Sequence, residues 1–110
     1  IVAVRPAGAT PRRIYLNGVS SATTFNNVVE TCTDNGIDFR IGRSGSNRYW
    51  EGYICNVGIW TVALTQPQIK SIMWKNYAGL TSTETTNLVS WWNLSANAND
   101  DHGSNNGTLT

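Results

Sequence analysis

Charge is what this chain has least of. Only 14% of its 110 residues are Asp, Glu, Lys or Arg, against about a quarter in ordinary soluble domains. The formal net charge is +1 and no basic run is longer than Arg12-Arg13. A nucleic-acid backbone would therefore find no electrostatic footprint to grip. No apolar stretch approaches the roughly 20 residues of a membrane-spanning helix, and no signal peptide is visible, so no membrane insertion is expected. Histidine occurs once, at His102, and cysteine twice, at Cys32 and Cys55. Neither cysteine stands in a CxxC motif or beside a histidine, which leaves zinc and dithiol chemistry without support. Two cysteines are also too few for a disulfide framework. Cys55 alternates with Tyr53, Val57 and Ile59 and reads first as a small buried apolar side chain, with a Cys32–Cys55 bridge as the lesser alternative.

The missing charge is replaced by Asn, Thr, Ser and Gly, a mixture that suits strands and turns better than long helices. The length allows one domain, burying roughly 60–68% of the surface its unfolded chain would expose. Because the chain starts at Ile1 without an initiator Met, we expect a processed product or a piece of something longer.

Along the chain the dominant period is two. Ile1 to Val4 reads as a strand, and Arg13 to Leu16 as another with Ile14 and Leu16 on one face. Asn17-Gly18 follows, a strong hairpin signal because both central residues of a type I′ turn need positive φ. Val19 to Thr24 is the expected return strand. Asn26 to Gly36 reads as a surface connection with Val28-Val29 as a short strand. In Ile37 to Ile41, the residues Ile37, Phe39 and Ile41 are expected inward and Asp38 and Arg40 outward. Tyr49 to Trp60 reads as a long strand in which Gly52 and Gly58 mark a bulge or a close backbone approach.

The period then changes. Thr65-Gln66-Pro67-Gln68 is a capping box with proline in the first turn. Ile69, Ile72, Met73 and Tyr77 follow at helical spacing, ahead of Gly79 as a stop, so one short amphipathic helix is expected around 66–77 with its apolar stripe on the sheet edge. Thr81 to Glu84 repeats the capping pattern. Val89 to Leu94 alternates again but carries an indole on each face, Trp91 and Trp92, which suits a strand covered on both sides or one at an interface. A polar loop, 95–106, precedes an expected terminal strand from Gly107 to Thr110.

Three stretches together resemble one known family. Arg13-Ile14-Tyr15-Leu16-Asn17-Gly18-Val19 resembles the RIYVNG hairpin of laminin-G-like modules of the concanavalin A-like lectin/glucanase type. Phe39-Arg40-Ile41-Gly42-Arg43 resembles their LRIGR strand, and Glu51 to Thr65 their F-x-G-x-I-D-E-V-R-I-Y-x-R-A-L-S signature with the capped helix behind it. The resemblance covers Arg13 to Tyr77 and implies an all-β, antiparallel sandwich of jelly-roll type. Leu88 to Leu109 resembles the opening of such a module, yet it comes last. We expect residues 1–79 to be the back half of a module, 80–87 a connector, and 88–110 a front strand. That strand would belong to the next module of an array, to the same module in permuted order, or to a neighbouring subunit; the repeat unit is favoured. Where relatives carry IDE, this chain has Ile54-Cys55-Asn56, which puts any calcium site depending on those acids in doubt.

Candidate chemistry is thin. A glycoside hydrolase needs two carboxylates flanking a bond, roughly 5–10 Å apart. Glu51 stands alone, Asp38 is paired with Arg40, and Asp100-Asp101 would point to opposite sides of an extended strand. His102 has no marked nucleophile beside it. No catalysis and no cofactor are expected. Gly42 to Trp50 has the aromatic, Arg, Asn and Gly composition of a sugar-binding loop, with Arg43, Asn47, Arg48 and Trp50 as ligand candidates. Against it stands a solvated hairpin with Trp50 packed on the sheet. Asp100 and Asp101 are lesser candidates for a cation such as Ca²⁺, in a loop whose turn formers need no metal. Asn93-Leu94-Ser95 and Asn106-Gly107-Thr108 are glycosylation sequons that matter only in a eukaryotic secretory setting. Ser90 to Leu94 and Gly103 to Thr108 resemble stretches of phage and bacterial adhesins. This implies a virion-surface or extracellular module that touches surface polysaccharide, or a spacer or decoration unit packing against sister subunits or adjacent modules.

Overall fold

The computed structural model describes residues 1–6, 12–21, 36, 38–45 and 48–110. Among them the strands form three antiparallel sheets with one short helix, the all-β architecture expected. The first sheet holds β1 (Val2–Val4), β2 (Arg13–Leu16) and β3 (Val19–Ser20). The second is a ribbon of β4 (Arg43–Ser44) and β5 (Arg48–Tyr49), and the third pairs β6 (Val57–Trp60) with β7 (Leu88–Trp92).

Asn17 and Gly18, with φ of +51° and +73°, turn the chain directly from Leu16 to Val19. That is the two-residue hairpin the sequence signals. The inward face differs from expectation: Tyr15 is buried, Ile14 only half-buried and Leu16 exposed. The phenol ring has more area to remove from water than Leu16, which stays in solvent.

The turn also receives helix α1 (Gln66–Ile72): the Gln66 side-chain amide donates to the Gly18 carbonyl at 2.8 Å. At the helix start Gln68 reaches back, accepting from the Thr65 backbone N–H at 2.8 Å and the Thr65 hydroxyl at 3.0 Å. Ile69 and Ile72 are buried, as the stripe requires. The helix stops at Ile72, short of the expected 77. Asn76 accepts from the Gly79 amide through its side chain at 3.1 Å and opens a 3₁₀ turn, Tyr77–Gly79. This is the local competition that makes asparagine a poor helix interior residue. Trp74 is left exposed.

The second capping pattern closes as read. The Thr81 amide donates to Glu84 Oε2 at 2.8 Å and the Glu84 amide to Thr81 Oγ1 at 3.3 Å. Glu84 also takes Lys75 Nζ on both oxygens, at 2.7 and 2.8 Å, and the Ser71 hydroxyl at 2.6 Å, tying this turn to the helix.

The core gathers around β7. Leu88, Ser90, Trp91 and Trp92 are all buried. Opposite β6 the register runs Val57↔Trp92, Gly58↔Trp91 and Ile59↔Ser90 and then skips to Trp60↔Leu88, leaving Val89 as a bulged residue. Trp91 meets Trp60 edge to face at 5.9 Å and 89°, while Trp92 stacks on Phe39 at 5.9 Å and 25°. Both faces of β7 are therefore covered.

Other expectations fail for identifiable reasons. Residues 38–41 form no strand, and Phe39 reaches Trp92 while remaining largely exposed. The long strand from Tyr49 breaks into β5, an irregular run and β6, because Gly52 (φ +144°) and Asn56 (φ +53°) leave the β region. The tail from Gly107 is not a strand; the Gly107 amide donates to the Ala98 carbonyl at 2.7 Å. Cys55 is an exposed free thiol, which overturns its expected burial; the alternative bridge rests on Cys32 and lies outside the described residues. Val28, Val29, Cys32, Ile37 and residues 22–24 of the return strand lie outside the described residues.

Candidate functional site

The β4–β5 ribbon carries the sugar-binding candidates. Its register is Arg43↔Tyr49 and Ser44↔Arg48, and the Trp50 amide extends it by donating to the Gly42 carbonyl at 2.8 Å. Gly42 at φ +74° and Gly45 at φ +59° supply the left-handed turns at its base and tip. Asn47 lies outside the described residues.

Because side chains alternate across a strand, the ribbon divides the candidates between two faces. Arg48 and Trp50 share one face. Arg43 lies on the other with Tyr49, its guanidinium 5.5 Å from the phenol ring centroid. The expected group of four is thus not one cluster. Trp50 is 61% exposed, and its indole lies over Gly52, where an added Cβ would come within 3.0 Å of Nε1. A rigid ring, backed by a glycine and open to solvent, is the form a sugar platform takes. Trp50 also borders an open cleft of about 840 Å³ beside Val2, Val4, Phe39, Ile59 and Trp60.

Arg40 was expected outward and paired with Asp38; the structure brings its guanidinium to this ribbon. Its Nη1 donates to the Gly45 carbonyl at 3.4 Å, and Arg43 Nε donates to the same oxygen at 3.3 Å. The motif Phe39-Arg40-Ile41-Gly42-Arg43 carried that signal, since two arginines three apart before a glycine turn can fold onto one hairpin tip.

Asp100 and Asp101, the lesser cation candidates, lie in the polar loop that follows β7. Asp100 is buried, and its carboxylate is filled by the loop's own amides. Oδ1 accepts from Trp91 at 3.0 Å, His102 at 3.1 Å and Gly103 at 2.9 Å, while Oδ2 accepts from Asn105 at 3.0 Å. Burial alone would push the carboxyl up, but the amides of Gly103 and Trp91, the Ser90 hydroxyl and the Asn105 amide outweigh it and hold it well below the ordinary aspartate range. Asp101 Oδ2 accepts from the Asn93 amide at 3.3 Å. Around them, Asn106 Oδ1 accepts from the Asp100 amide, and Trp92 Nε1 donates to the Asn105 carbonyl. These carboxylate oxygens hold the backbone of the loop against β7. Among the described residues no three His, Cys, Asp or Glu side chains group as metal ligands. His102 Nδ1 sits 3.0 Å from the Tyr77 hydroxyl, a contact that pins the loop to the 3₁₀ turn.

A laminin-G-type family model, described as the concanavalin A-like lectin/glucanases superfamily, matches residues 1–70. No curated protein and no solved structure matches the chain. The matched residues include both sides of the β4–β5 ribbon and stop inside α1.

Proposed function

The chain belongs to the concanavalin A-like lectin/glucanases superfamily through a laminin-G-type module, and from that premise we propose that it is a non-catalytic adhesion module that contacts polysaccharide through Trp50 and Arg48. Family membership supports a carbohydrate-binding or adhesion-type module; the superfamily also holds glycosidases. One observation carries the reading: the Trp50 indole is largely exposed, backed by Gly52 and, by strand alternation, on the same face of the ribbon as Arg48. The non-catalytic part rests on the acids. Asp100 is saturated by amides and Glu84 is bound to Lys75, Ser71 and Thr81, so neither oxygen pair is free to flank a glycosidic bond. The setting we propose is a virion or cell surface.

A glycan array probed with the parent chain, Trp50→Ala and Arg48→Ala tests this. We expect retained glycans with the parent and about tenfold weaker retention with Trp50→Ala, equivalent to about 1.4 kcal/mol. No retained glycan with the parent would favour the second reading, a structural unit packing against sister subunits. That reading draws on Trp74 and Tyr53, exposed by 82% and 102%.

A further inference from the structure

The β6–β7 pair has two outer edges, and they are treated differently. On β7 the edge is closed by the loop behind it. The Trp91 N–H donates to Asp100 Oδ1 at 3.0 Å and the Trp91 carbonyl accepts from the Asp101 amide at 2.7 Å, so both backbone groups of Trp91 point away from β6. Gly103 lies so near this edge that an added Cβ would stand 2.7 Å from the Val89 carbonyl oxygen. Trp91 is paired with Gly58, and in an antiparallel ladder two such residues turn their polar groups outward together. The N–H and C=O of Gly58 therefore point out of β6 on its far side, where alternation places those of Trp60 as well. Among the described residues no strand pairs with that side, and Gly58 and Trp60 border the open cleft of about 840 Å³. An unpaired row of this kind is a template for another strand, and proteins commonly blunt it with charge or proline. Strand β6 has neither, and no charged residue occurs between Glu51 and Lys70.

We propose that this edge is a self-association surface, at which β6 of a second copy of the chain adds antiparallel about a two-fold axis through Ile59. The register follows from which backbone groups are unpaired. With the two copies of Ile59 facing each other, Gly58 of each copy lies opposite Trp60 of the other, and both pairs exchange their outward N–H and C=O groups. The pair on the axis is then of the close, non-hydrogen-bonded kind, in which β-branched side chains pack well. Val57 and Ile59 are only half-buried, so pairing removes apolar surface still in contact with water. Tyr53 and Val62, exposed by 102% and 45% just before and after the strand, widen the contact. The edge is complementary to itself: uncharged, β-branched on its axis, and with glycine opposite the bulky Trp60. That self-complementarity is what a two-fold interface requires, and it selects another copy over an unlike strand. A net charge of +1 sets little repulsion between copies. Four residues of strand make a small interface, which places the dimer among weak, transient ones. The inference is independent of glycan contact, since it uses no residue of the β4–β5 ribbon.

Sedimentation equilibrium of the whole chain reads the assembly. We expect a 12.1 kDa monomer that converts to a species of twice that mass as its concentration rises to about 1 mM. Ile59→Lys sets two ammonium groups together on the axis and Ile59→Glu two carboxylates; each variant alone should dimerise at least about tenfold more weakly. An equimolar mixture of the two should recover the dimer, with the opposite charges facing each other, and that recovery separates a lost contact from lost folding. In the concentrated parent the Gly58 amide should also exchange with deuterium more slowly than in dilute solution, while that of Ala3, on the outer edge of β1, keeps its rate. A parent that stays monomeric at the highest concentration overturns the proposal. So does a dimer that both variants leave intact, which would place the contact elsewhere, or a loss in both that the mixture does not recover. Glycan retention on the array is a separate readout, and neither result decides the other.

Discussion

Replacing Asp100 by alanine should cost this chain a large share of its stability, although the residue sits in a polar loop. Four backbone N–H groups converge on its carboxylate. The Trp91 amide belongs to a buried strand residue, so leaving it without an acceptor costs about 1–3 kcal/mol. His102, Gly103 and Asn105 are exposed; their amides can turn to water, and each forfeits about 0.5–1 kcal/mol. The total is about 2.5–6 kcal/mol, against about 5–15 kcal/mol for a whole domain. Asp100→Asn is milder. It keeps an oxygen for Trp91, His102 and Gly103 but sets an NH₂ group against the Asn105 amide, for about 1.5–3 kcal/mol. Urea unfolding followed by tryptophan fluorescence reads the series, because Trp91 and Trp92 lie on the strand the loop clasps. At a slope near 2 kcal/mol per molar, Asp100→Ala should lower the midpoint by about 2 M. An Asp100→Ala variant within 0.5 kcal/mol of the parent would show that the loop does not depend on this carboxylate.

The remaining predictions concern packing and pH. A Cβ at Gly58 would stand 2.7 Å from carbons of both Trp60 and Trp91; two rigid indoles cannot yield cheaply, so Gly58→Ala should destabilise by about 1–3 kcal/mol in the same urea assay. Gly18→Ala meets the flexible Lys70 side chain at 2.8 Å but also forces alanine to φ +73°, costing about 1–2 kcal/mol. Hydrogen bonds from Lys75, then Ser71 and the Thr81 amide, hold Glu84 at about 2 instead of 4.5. A carboxylate depressed in the folded state adds stability above its unfolded value and loses it as pH falls through the folded one. The parent should therefore lose stability between about pH 4.5 and 2, and Glu84→Gln should show a flatter acid limb in thermal melts.

The features legible in the sequence were those set by a few adjacent residues. Asn17-Gly18 specified its turn, Thr65 to Gln68 its helix start, Thr81 to Glu84 its cap, and the doubled indoles of Trp91 and Trp92 a strand covered on both sides. What failed depended on backbone angles or partners remote in sequence. Asn56 at φ +53° gives no warning in a run of strand formers, and nothing local tells Tyr15 from Ile14 as the inward side chain. Of the candidate site, Trp50 and Arg48 share one face of the ribbon, a division that composition does not specify. The alternation of the ribbon separated Arg43 from them, and Arg40 joined it because the Gly42 and Gly45 turns bring residues 40 and 43 to one carbonyl. Asp100 stood in the sequence only as one aspartate of a turn-rich loop, and its four amide donors, one of them on Trp91 nine residues back, become visible only in the folded chain.

The most direct test of polysaccharide contact follows the side-chain indole N–H signals during titration with a polysaccharide that the array retains. The chain contains five tryptophans, each with its own indole resonance. The account predicts that the Trp50 signal moves while those of Trp91 and Trp92 stay in place, their N–H groups being held by Asn93 and Asn105. A stationary Trp50 signal in the presence of a bound polymer would contradict it.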